Sequence, residues 1–91
     1  MVIEESDFRL IPTSESSPMF DLELLYTIRP KGKEERQEFK NAAYGISLEA
    51  ALKEVAHYRI YYRHEDNTID LKTYLTEFKE EVSKLKELCN I

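Results

Sequence analysis

From Phe20 to Arg29 the chain alternates. Phe20, Leu22, Leu24, Tyr26 and Ile28 hold one parity, and Asp21, Glu23, Thr27 and Arg29 hold the other. Ten residues of period two suit a β-strand with one buried face. Leu25 breaks the pattern by placing an apolar side chain on the polar parity. A strand of this kind cannot stand alone, so the run commits the chain to a sheet that hides one face.

The neighbouring segments supply further strands. Phe8-Arg9-Leu10-Ile11 reads as a short strand stopped by Pro12. Thr13 to Pro18 is a polar loop, and Arg29-Pro30-Lys31-Gly32-Lys33 is a turn. A third strand is expected within Glu35–Ala43, with Phe39 as its main core residue. Residues 1–6 read as a flexible arm. The product is a three-stranded antiparallel meander.

The period changes after Gly45. Ser47 is suited to cap a helix, and Glu49 suits its positive end. At about 100° per residue, Leu48, Ala51, Leu52, Val55, Tyr58 and Tyr62 share a face. This helix is expected to end near Glu65-Asp66. Asn67 or Thr68 caps a second helix, in which Leu71, Leu75, Phe78, Val82, Leu85 and Cys89 form a heptad-like seam that Tyr74 widens. The seam predicts a helix lying on the sheet and the first helix, with homo-oligomeric pairing through 71–89 as the alternative. The whole reads as one α+β domain, βββαα, with both helices on one face of the sheet.

Composition narrows the function. The 91 residues carry a net charge of −5, and the acids are spread over both halves of the chain. That argues against affinity gained by covering nucleic-acid phosphates and against a cationic membrane helix. It leaves room for an acidic mimic of DNA. One cysteine makes neither an internal disulfide nor a cysteine metal site. No apolar run reaches about 18 residues, and residues 1–7 do not resemble a signal peptide. A cytoplasmic protein is the expectation.

The densest binding chemistry is His57-Tyr58-Arg59-Ile60-Tyr61-Tyr62-Arg63-His64, a run without a carboxylate. His57 and His64 lie about 10.5 Å apart along a helix, too far to share a metal ion. No Ser, Cys or His falls beside the partners a nucleophile needs, and no glycine-rich phosphate loop is present. No enzyme activity, metal or cofactor is expected. Arg59 falls inside the apolar arc, where a guanidinium needs a carboxylate or a route to water. Ile60 and Tyr61 fall outside it. In the structural reading Tyr58 and Tyr62 are core and Arg59 pairs with a carboxylate. In the functional reading His57, Ile60, Tyr61 and His64 face a protein partner, since aromatic side chains are enriched at binding hot spots. The alternative is a nucleotide or other anion held by Arg59, Arg63, Tyr58 and Tyr62, with Arg29, Lys31 and Lys33 of the turn as a second basic spot.

Gly32-Lys33, Tyr44-Gly45 and Glu49-Ala50 sit where hairpin turn, aromatic–Gly step and helix meet. In this respect Phe20–Val55 resembles the hairpin-plus-helix of arm-binding domains in phage and transposon integrases. The resemblance implies strand, turn, strand and helix in that order. Those domains are basic and read DNA with the sheet, whereas Asp21, Glu23 and Glu38 occupy strand positions here. DNA binding is therefore not carried over. The size, acidity and low cysteine content also resemble small accessory proteins of phages and mobile elements. Many of these inhibit or redirect a host protein, including defence systems. The expectation is a non-catalytic interaction protein of that type.

Overall fold

The computed structural model describes residues 1–88. The chain divides into two compact units, Met1–Ala51 and the residues from Leu52 onward. The first holds β1 (Ile3–Glu4), β2 (Phe8–Pro12), β3 (Phe20–Ile28), β4 (Arg36–Ile46) and the start of α1 (Leu48–Arg63); the second holds the rest of α1 and α2 (Leu71–Leu88). The fold class is α+β.

The sheet has four strands in the order β1-β2-β3-β4, every neighbouring pair antiparallel. The expected count was three. The extra strand is Ile3–Glu4, expected within a flexible arm, which pairs with Leu10 and Arg9. Two residues carry no readable period, so sequence pattern could not reveal it.

Alternation along β3 works as expected. Leu22 and Leu24 are buried, and across the ladder they face Leu10 and Phe8, which are buried too. Fully burying such side chains stabilises by roughly 1.5–3 kcal/mol each. Phe39 departs from expectation. It pairs with Leu25 on the opposite face, where the Arg9 guanidinium lies 3.8 Å over its ring. Leu25, the exception in the alternation, thus has an aromatic neighbour on the polar side. Arg9 also bonds Glu4 and reaches Glu23 at 3.7 Å, which ties β1, β2 and β3 together on that face.

β4 runs longer than Glu35–Ala43 because two irregularities let it continue. The register slips once between Leu22 and Glu23 and again between Phe20 and Leu22. The second slip contains Gly45 at φ +58°, a left-handed conformation that suits glycine in a bulge. Its N–H donates to Asp21 Oδ1 at 2.9 Å. Gly32, at φ +76°, gives the β3–β4 turn the positive φ that a type II turn requires, and Lys33 N–H closes it on Pro30 O.

Ser47 caps α1 as expected, accepting the Ala50 N–H on Oγ. The cap of α2 is Asp70, which accepts the Thr73 N–H at 2.7 Å, and not Asn67 or Thr68. Hydrogen bonds from Thr73 hold the Asp70 carboxyl below the usual carboxylate range. Leu52, Val55, Ala56, Ile60 and Leu85 are the buried apolar side chains of the second unit. In the expected α2 seam only Leu85 is buried; Phe78 and Val82 are half-buried, Leu71 and Leu75 are exposed, and Cys89 lies outside the described residues. Among the described residues no helix is long and apolar enough to cross a membrane.

Replacing Leu22 with alanine removes a fully buried side chain from the centre of the β2–β3 ladder. The expected loss is about 2–5 kcal/mol in urea unfolding, against less than about 0.5 kcal/mol for Lys31→Ala in the exposed turn.

Candidate functional site

The His57–His64 run covers the last two turns of α1 and the residue after it, and α2 returns alongside. Arg59 Nη1 lies 3.6 Å from Glu81 Oε2. Arg63 bonds Glu77 at 2.6 Å through Nη1, and Glu81 through Nη2. His64 Nε2 lies 2.9 and 3.1 Å from the two oxygens of Glu77. His57 Nδ1 and the Tyr74 hydroxyl are 2.9 Å apart, with the rings edge to face. Three α1 residues, and His64 just past its end, therefore meet α2, and on the helical wheel Ile60 lies among them. This explains why Ile60 is 1% exposed, although the wheel drawn from the main apolar arc puts it on the outer side. Ile60 is thus unavailable as an outward contact, because a second helix covers that flank.

Glu81 is the hinge of the arrangement. Its side chain is 5% exposed, while those of Arg59 and Arg63 are 24% and 41% exposed. A carboxylate so placed needs counter-charges and hydrogen bonds, and the two arginines supply them while staying partly in water. The pairing answers the anomaly of Arg59 in the structural sense. It also sets the electrostatics. Hydrogen bonds to Glu77 first, and Glu81 second, raise Arg63 above its ordinary value. The Arg63 hydrogen bond, aided by His64, holds the Glu77 carboxyl below the usual carboxylate range.

Beside this network lies an open cleft of about 240 Å³. Its walls are His57 and Tyr61 from α1, His64, Glu65, Asn67 and Ile69 from the connection, and Tyr74 from α2, with the buried Ile60 behind them. All four residues expected at a protein contact line it. Tyr61, 57% exposed, is its most prominent apolar surface and packs edge-on against Tyr62 at 5.3 Å. Tyr62 in turn meets Tyr58 at 5.0 Å, and both are half-buried. Tyr74 stacks on Phe78 at 5.8 Å, which fixes the α2 wall.

The residues expected to hold an anion are placed differently. Arg59 and Arg63 are bound to Glu77 and Glu81. Arg29 pairs with Glu35 at 3.1 Å within the β3–β4 turn, and Lys31 and Lys33 are exposed in that turn. An anion at Arg59 and Arg63 would have to displace carboxylates already in place.

Glu77, Glu81, Asn67, Ile69 and Tyr74 were not among the expected site residues. One signal was there to be used. Glu81 falls beside Tyr74 and Leu85 on its helical wheel, just as Arg59 falls beside Val55 and Tyr62. Two opposite charges, each inside an apolar arc, are natural partners once the helices meet. Asn67 and Ile69 had no such signal, because their position depends on the path of the connection.

No protein-family model, curated protein or solved structure matches the chain.

Two outcomes are expected. Glu81→Gln weakens the ion pairs with Arg59, Arg63 and Lys84 at a buried position and lowers stability by about 1.5–3 kcal/mol in chemical unfolding. Glu77, with its depressed pKa, stabilises the fold fully above its unfolded value near about 4.3 and progressively less as pH falls through the folded value. Thermal melts between about pH 6 and pH 3 are expected to show this acid loss, and Glu77→Gln to reduce it.

Proposed function

We propose that this chain is a non-catalytic interaction protein and that the α1–α2 cleft receives a side chain of a protein partner. The observation that carries this is the cleft itself, which brings Tyr61, His57, His64 and Tyr74 around one opening. Its volume of about 240 Å³ lies below the 300–1,000 Å³ typical of small-molecule sites. A single apolar or aromatic side chain with a polar tip suits it better than a nucleotide. Ile69 and the tyrosine rings offer apolar contact, while Asn67 and the histidines offer hydrogen bonds at the rim. The Glu77–Glu81 network holds α1 and α2 together, so the opening is largely pre-formed, which lowers the entropic cost of binding.

The finer reading is a phage-type inhibitor or regulator of a host protein acting in the cytoplasm. It is supported by size, acidity and the style of the sequence alone. The bound state of Arg59 and Arg63 weighs against the anion-binding reading.

The test is a comparative pull-down from the native cell extract with wild type and with Tyr61→Ala. Tyr61 is exposed, so its removal is expected to leave the melting temperature nearly unchanged. A partner retained by wild type is expected to lose about 2 kcal/mol or more of binding energy, some thirtyfold in Kd, with Tyr61→Ala. Equal affinity for the two forms would sink the assignment of this cleft.

A further inference from the structure

We propose that β4 offers its outer edge to the same edge of a second copy of this chain, joining two sheets into one across a two-fold axis centred on Phe39. The proposal is independent of the cleft and of its partner.

β4 is the long edge of the sheet. It spans Arg36–Ile46, contains no proline and, among the described residues, has β3 as its one strand neighbour. Alternate N–H and C=O groups along it therefore point away from the sheet, a row of main-chain groups ready to pair with another strand. The opposite edge is β1, two residues long, which offers almost no such row. From Ala42 onward the β4 edge is blunted. The register slips there, Gly45 turns left-handed, and the Asn41 side chain donates to Ala43 O at 3.2 Å. From Arg36 to Asn41 the pairing with β3 keeps a regular register. Arg36, Gln37, Lys40 and Asn41 are exposed.

The charges of this stretch select both the partner and the register. Arg36, Glu38 and Lys40 fall on one face, reading plus, minus, plus. Two copies joined antiparallel by a two-fold axis oppose residues of the same face, so the axis runs between one residue and its own copy. Centred on Glu38, the pairing sets Glu38 against Glu38 and Arg36 against Lys40, all like charges. Centred on Lys40, it sets lysine against lysine. Centred on Gln37, it engages only the first three residues of β4. Centred on Phe39, it uses the regular stretch from Gln37 to Asn41 and stops where the bulge begins at Ala42. Glu38 then faces Lys40 of the second copy, twice, and Gln37 faces Asn41, twice. On the other face the half-buried Phe39 meets its own copy, a favourable cross-strand aromatic pair. Arg36 already bonds Glu38 at 2.7 Å and holds its carboxyl below the usual carboxylate range.

The experiment is sedimentation equilibrium on the full chain, with hydrogen exchange of the 37–41 amides at low and high concentration. A reversible dimer is expected, with those amides gaining protection as it forms. Glu38→Lys and Lys40→Glu, each alone, turn two attractive cross-strand pairs repulsive, and each is expected to raise the dimer Kd about tenfold or more. The double variant E38K/K40E restores opposite charges and is expected to return the Kd to near wild type. Both positions lie on the accessible edge, and circular dichroism of each variant checks that the fold is retained. A chain that stays monomeric at about 1 mM overturns the proposal. So does a dimer indifferent to the single reversals, or one not rescued by the double variant. A dimer abolished by Leu71→Ser with Leu75→Ser assigns association to α2 and overturns it equally.

Discussion

Glu81 is a carboxylate in a place where a carboxylate is costly. Its side chain is 5% exposed on the inner side of α2, and the guanidinium groups of Arg59 and Arg63, with the Lys84 ammonium at 3.8 Å, make that position tenable. Everything described at the α1–α2 end follows from this contact. With Arg63 drawn to Glu81, it can also take Glu77, and His64 completes the same carboxylate. With the two helices tied at those points, Ile60 is enclosed between them and His57 meets Tyr74. The cleft is the space left beside that network.

A buried ion-pair cluster is weak evidence for stability, because the desolvation of its members offsets much of their attraction. Its value here is positional. Apolar contacts alone allow a helix pair to slide or rotate by small steps with little penalty, whereas a buried carboxylate is satisfied in few arrangements. The network therefore fixes which α1 residues face α2 and which face the opening. The same division appears on the face of the sheet that carries Leu25, where Arg9 of β2 joins Glu4, Glu23 and the Phe39 ring from the other three strands. In both places one arginine organises several neighbours through its planar, multi-donor head.

How much of this was legible depended on period and length. The ten-residue alternation gave β3, and the helical repeats gave α1 and α2 within a few residues. Phe39 was misassigned because its strand mixes charged and apolar residues on both faces, and only the register with β3 decides its side. Ile60 was misassigned because a wheel identifies one apolar arc, while a helix end flanked by a second helix is covered on another side. The four expected contact residues do meet at one cleft, yet Ile60 is its backing and Tyr74, Asn67 and Ile69 complete it.

Local sequence by itself determined the α+β class, the strand and helix periods, the Ser47 cap, and the concentration of rings and cations near the end of α1. These depend on neighbours within a few residues, whose spacing is fixed by backbone geometry. Tertiary structure decided the fourth strand, the side of Phe39, the open edge of β4 and the partners of Arg59 and Arg63. Each of these requires two segments distant in the chain to meet at a defined register, and that register comes from the summed packing of both. The cluster at His57–His64 was visible as chemistry, and its geometry was set only when Glu77 and Glu81 arrived from another helix.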